Sequence, residues 1–188
     1  MTSVALIQRL HQHRRWVNEN LLATAKSLSN EQLHRSFQIG QGSIWKSLLH
    51  LYAGEFVWLE ALWGDENPLT PGDMPGRLPG NQEGEGAIAS LPELAQKWAK
   101  LDERWALYLA DLSEKSLDEV VYKVSTSSGF GRRLGTRRAD VLLHVCTHAQ
   151  YTTAQIVNML RHAGIEKLPD TMLITLARQE ADVESRTT

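Results

Sequence analysis

The chain has 188 residues, 42% of them hydrophobic, with 20 Lys and Arg against 22 Asp and Glu and a formal net charge of −2. That length suits one domain with a single sizeable core, and the charge balance supplies no basic footprint for nucleic acid. No stretch approaches about eighteen uninterrupted apolar residues, which excludes a helical membrane span, and the one cysteine excludes an internal disulfide framework and agrees with a reducing, cytoplasmic compartment.

The stripe Ile7, Leu10, Val17, Leu21 and Leu28 predicts a first amphipathic helix and not a signal peptide, with Arg14 and Arg15 beside His11 and His13 as its exposed face. A second stripe, Trp45, Leu49, Tyr52, Phe56, Leu59 and Trp63, ends at Gly64. Residues 64–90 hold Pro68, Pro71, Pro75 and Pro79 with six glycines, which rules out a helix and predicts a long crossover loop. Leu91, Leu94, Trp98, Leu101, Trp105, Tyr108 and Leu112 then recur at alternating three- and four-residue spacing, the seam of a bundle helix. Ser90 with Glu93 predicts a capping box at its start, and Pro92 falls in the first turn, where its missing N–H costs nothing. Residues 120–124, a turn at 129–131 and residues 132–136 read as a short hairpin or extended excursion. A fourth long helix over 138–162 closes at Gly164 as its C-cap. From Pro169 a short helix through Met172, Leu173 and Leu176 precedes an exposed, frayed end.

The expected fold class is therefore all-α, with four long helices and long crossover connections that permit parallel neighbours. No internal repeat occurs, and a single domain is expected over residues 1–176 with a C-terminal tail over 177–188.

His50, His144 and His148 are the residues whose pattern points to chemistry. His144 and His148 are spaced i, i+4, so on a helix both rings leave one face and their nitrogens can meet at one ion, with His50 arriving from another helix. The competing reading is a set of partly buried histidines hydrogen-bonded to neighbours. Cys146 lies about 200° around the helix from both and reads as a packed thiol. Asp140, one turn before His144, either orients a ligand histidine or is an acidic residue favoured by the helix dipole. Glu55 stands about 140° from His50 on its helix, which argues against a shared ligand and for solvent or an ion pair. Tyr52 and Tyr151 read as bundle aromatics or as hydrogen-bond partners of a substrate near the site, and Arg132, Arg133, Arg137 and Arg138 as a solvated loop or an anion-recognition cluster.

Several segments carry a resemblance. His13-Arg-Arg-Trp16-Val-Asn18-Glu-Asn-Leu21-Leu22 is similar to a Y-N-x-W-A-N-x-x-L-L helix, and Ser29-Asn-Glu-Gln-Leu33 to the short capped turn that follows it. Gly42-Ser-Ile-Trp45-Lys-Ser-Leu-Leu-His50-Leu51 resembles a segment that delivers a metal histidine, and residues 142–156 resemble the pattern L-L-H-V-V-N-H-x-x-Y-H-R-G-Q-I. Together they resemble the DinB family of DinB/YfiT-like metalloenzymes over about residues 6–176.

The resemblance implies a four-helix bundle of DinB/YfiT type that forms a homodimer through a helix face and holds a divalent metal ion, zinc or nickel, on histidines. It also implies a small-molecule substrate and either metal-dependent hydrolysis or transfer using a low-molecular-weight thiol. The sequence departs from the pattern at one ligand: the last two family histidines fall on His148 and on Thr152, a poor ligand. Positions 144, 148 and 152 drift by only about 40° per step, so His144 replaces the missing ligand if the ion sits one turn nearer the helix start. The set would then be His50, His144 and His148. The alternative is a non-catalytic binding or dimerisation module that has lost the metal site.

Overall fold

The computed structural model describes residues 1–126 and 129–187. Helix α1 (Ser3–Ala25) is capped by the Thr2 hydroxyl, which accepts from Ala5 N at 3.2 Å. The short α2 (Asn30–His34) begins in a full capping box, with Ser29 and Gln32 each accepting the other's backbone N–H. Ser43 caps α3 (Ile44–Leu62), and Ser90 caps α4 (Leu91–Ala110). At α4 the predicted box is only half formed, because the Glu93 carboxylate takes the Ala89 N–H at 3.0 Å instead of that of Ser90. A single 3-10 turn (Lys115–Asp118) leads into β1 (Val120–Val124), which pairs antiparallel with β2 (Arg133–Arg137). Helix α5 (Arg138–His162) follows directly, and Gly164, at φ 81°, lets Ile165 N–H return to Leu160 O at 3.1 Å.

The protein is mostly helical with this one small sheet. Helix α1 packs on α4 and α5, and α3 packs on the same two helices, so the four long helices share one core. Helix α3 supplies its centre through Leu48, Leu51 and Leu59, which meet Leu21, Leu142, Ile156 and Met159 from the flanking helices. The α4 seam is buried as its spacing predicts at Leu94, Trp98, Leu101 and Trp105. The expected crossover loop over 64–90 is present between α3 and α4.

Two expectations are corrected. The face of α1 expected to be exposed is buried at His11, His13 and Arg14, and Arg15 alone remains in solvent, paired with Glu19. Positions 7, 11, 14, 18, 21 and 25 form one helical stripe, and all six side chains, polar or not, are buried on it. Arg14 tolerates burial because Glu55 of α3 pairs with it. The second correction concerns the C-terminal segment, where α6 (Leu173–Thr187) runs on well past Leu176. A bidentate Arg9–Glu180 pair at 2.8 and 2.7 Å, with Gln12 joining at 2.9 Å, ties α6 to α1.

Candidate functional site

A cavity of about 600 Å³ opens between α3, α5, the hairpin and the crossover loop. His50, Gly54 and Trp58 line it from α3, Asp140, His144 and His148 from α5, Lys123 from β1, and Leu78 with Pro79 from the loop. The spacing on α3 and α5 puts these histidines on facing stripes, and the two helices are in direct contact.

His50 is fixed by the loop. Its Nδ1 donates to Pro79 O at 2.7 Å, which leaves the lone pair on Nε2. That Nε2 lies 3.1 Å from Nε2 of His148. That is a hydrogen-bond separation, with His148 Nε2–H donating to the free lone pair of His50, and it is also close to the roughly 3.3 Å between two imidazole nitrogens on a common tetrahedral ion with bonds of about 2.0–2.1 Å. A backbone carbonyl that fixes the tautomer of a ligand histidine is the usual supporting contact for such a site. Burial first, then the neighbouring His50 and His144, pull His148 down to about 4, and burial also lowers His144. A neutral imidazole at pH 7 gives up no proton when it binds an ion.

Glycines make this approach possible. A Cβ on Gly80, whose φ is 86°, would lie 2.5 Å from the Cα of His50, so only glycine lets the loop bring Pro79 O onto the ring. The Asp73 carboxylate holds that loop by accepting from Gly80 N at 2.7 Å and Gln82 N at 2.9 Å. On α3 a Cβ at Gly54 would lie 3.1 Å from Cε1 of His148, so a larger residue there would push the ring away.

The third histidine is placed differently. The His144 ring packs edge-to-face on Trp58, with centroids 5.3 Å apart, and its centroid is 5.8 Å from that of His148. Thr152 is buried one turn beyond His148. Among the described residues no three His, Cys, Asp or Glu side chains converge in an arrangement that holds a metal. The chemistry of the donor set fits a divalent ion at the His50–His148 pair, while no third ligand is in position among the described residues.

The other singled-out residues separate from this pair. Asp140 lines the cavity but is held by Arg137 at 3.1 and 3.3 Å, not by His144. Cys146 is buried and its thiol is pushed up to about 12 by burial, so it presents no thiolate. Glu55 accepts from Arg14, from Asn18 Nδ2 at 2.8 Å and from Trp98 Nε1 at 3.0 Å, away from the cavity. Tyr52 is buried against Trp98, whereas Tyr151 is exposed and outside both core and cavity. The basic residues pair locally: Arg133 with Glu66, Arg137 with Asp140 and Arg138 with Glu119.

Sequence reasoning passed over Gly54, Asp73, Gly80 and Lys123. A glycine inside an apolar helix costs roughly 0.5–1 kcal/mol relative to alanine, which is a signal of close approach. Lys123 shares the inward face of β1 with the buried Val121, so it breaks the alternation expected of a strand.

Fold and cavity together define a mostly helical protein with paired histidines on neighbouring helices facing one pocket. The sequence model of the DinB superfamily matches residues 13–156, and the chain belongs to that superfamily. It is 27% identical over 161 residues to Protein DinB of Bacillus subtilis (strain 168), covering 86% of this chain and 88% of that protein. The crystal structure of a DinB-like protein from Bacillus cereus ATCC 10987 has the same fold, with a TM-score of 0.59 and 16% identity over 87% of this chain and 95% of that one. Among the described residues no helix is long and apolar enough to cross a membrane.

Proposed function

We propose that this protein is a DinB-type metal-dependent enzyme acting on a small molecule, with His50 and His148 as the core of its metal site and the long helices forming a DinB/YfiT-type four-helix bundle. The observation that carries this reading is the 3.1 Å approach of the two Nε2 atoms, with the His50 tautomer fixed by Pro79 O. A divalent ion such as zinc or nickel, held there, supplies Lewis-acid chemistry suited to hydrolysis or to transfer from a low-molecular-weight thiol. The Pro79 carbonyl orients His50, and Trp58 gives the cavity an apolar wall beside His144. His144 is the candidate third ligand.

Elemental analysis of untagged protein tests this. We expect about one equivalent of zinc or nickel in the native chain, and a stabilisation of about 2.7 kcal/mol when the metal is supplied at a hundred times its Kd. Both are lost in His148→Ala. Loss of affinity in His144→Ala but not in Thr152→Val would identify His144 as the third ligand.

A second reading has its own observation. Thr152 is buried at the position of a family ligand and no third ligand converges on the pair among the described residues, which favours a binding module that kept the bundle and gave up the metal. Absence of metal even after reconstitution would select it.

A further inference from the structure

Lys123 stands on the inner face of the hairpin, only 8% exposed, at a position that the strand alternation assigns to an apolar residue. Burying an ammonium group is costly unless something compensates its charge. Its Nζ donates to Val124 O at 3.1 Å and lies 5.5 Å from the centre of the Trp58 ring. Those contacts satisfy one of three N–H groups, and among the described residues no carboxylate forms an ion pair with it, Asp65 acting on its charge only from longer range. The side chain lines the same cavity as the histidine pair. The one carboxylate in that lining among the described residues, Asp140, is engaged by Arg137.

We propose that Lys123 binds a carboxylate group of the substrate, so that the cavity takes a small molecule with an apolar body and one acidic end. This rests on the cavity being the substrate site, and it deepens that reading by naming a substrate class and a specificity residue. Trp58 links the two ends of the pocket. Its ring carries the Lys123 ammonium, and the edge of His144 packs against it. A ligand whose carboxylate accepts from Lys123 would thus lie along Trp58 with its other end directed to His50 and His148. Val57, Leu78, Pro79 and Val141 supply apolar wall for its body. Carboxylate is favoured over phosphate because a single ammonium neutralises one negative charge, whereas a phosphate monoester carries nearly two at pH 7.

The test is calorimetric titration of the full chain, stripped of metal with a chelator, with benzoate, its neutral analogue benzamide, and phenyl phosphate. We expect benzoate to bind at least about tenfold more tightly than benzamide, the scale of a charge-assisted hydrogen bond. Lys123→Met should abolish that preference and Lys123→Arg should retain it. Equal affinity for benzoate and benzamide, no binding of either, or a preference that survives in Lys123→Met would each overturn the proposal. Tighter binding of phenyl phosphate than of benzoate would overturn the carboxylate assignment. The comparison of ligands on the native chain stands even if a variant fails to fold. Because the titration is metal-free, its failure is separate from that of the metal site, which is read by metal content in native protein and in His148→Ala.

Discussion

Two polar clusters leave α3 in directions about 140° apart, and they treat burial in opposite ways. Around Glu55, the guanidinium of Arg14, the amide of Asn18 and the indole of Trp98 all donate to one carboxylate, and Asp102 approaches Arg14 at 3.6 Å. Each charge there meets another side chain, and Glu55 and Arg14 are both at least 98% buried. Around His50 the polar atoms instead face a cavity: two imidazole nitrogens approach each other, and an ammonium has N–H groups to spare. In the first cluster the charges pair across helices, although Arg14 Nε, Asn18 Oδ1 and Asp102 Oδ1 find no hydrogen-bond partner among the described residues; in the second the polar groups line the cavity. The first arrangement joins three helices, and the second surrounds the cavity in which the ligand is proposed to bind.

The largest expected effect breaks the Glu55 cluster. Glu55→Ala leaves Arg14 buried with only Asp102, at 3.6 Å, as a charged partner, and we expect a loss of about 3 kcal/mol in denaturant unfolding. Glu55→Gln, which keeps hydrogen-bond acceptors, should lose less. A cost below about 1 kcal/mol for the alanine variant would mean that the cluster does not hold the helices together.

Gly80→Ala acts on the His50 cluster through its support. The added Cβ meets the backbone of His50 at 2.5 Å in a left-handed conformation, so a loss of about 2 kcal/mol is expected. Zinc uptake should weaken with it, because the Pro79 carbonyl would no longer fix the His50 tautomer. Unchanged uptake in a folded variant would show that this carbonyl does not position the ligand.

The smallest effect concerns protons. Burial, and then the charge of Glu55, raise the Asp102 carboxyl to about 7 from 3.8. Between these two values the native state keeps a proton that the unfolded chain releases, so this group's contribution to stability falls as pH rises from about 4 to about 7 and is constant above. Asp102→Asn lacks that slope. It should therefore be more stable than the native chain at pH 8, by about 1–2 kcal/mol after allowing for the nearby Arg14, with the advantage vanishing near pH 4. The buried His11, held well below its ordinary value by burial first and then by Arg14, contributes a slope of opposite sign below about pH 6.5 in both proteins. The difference between variant and native chain isolates Asp102, and a difference independent of pH would remove it as a titrating group.

Much of the helical frame was legible because periodic burial writes itself into the sequence. The α4 seam, the proline-rich crossover, the hairpin and the Gly164 cap are all local patterns, and each stands where its residues put it. On α1 the same periodicity was present at positions 7, 11, 14, 18, 21 and 25, but His11, Arg14 and Asn18 gave it a polar surface. Polarity suggested solvent there because the partners that make the burial tolerable lie on other helices. Of the candidate site, His50 and His148 were visible from spacing and family pattern. Gly54, Gly80, Asp73 and Lys123 were not, since each acts on a residue brought near only by folding.

The sequence by itself determined the helices, their caps, the length of the crossover and the residue types available for chemistry, because these depend on neighbours within a few positions along the chain. Tertiary structure alone decided which polar residues pair across helices and which line the cavity. Whether a buried charge finds a partner depends on side chains far away in sequence, and so does the tautomer of His50, set by a carbonyl delivered from a loop 29 residues downstream.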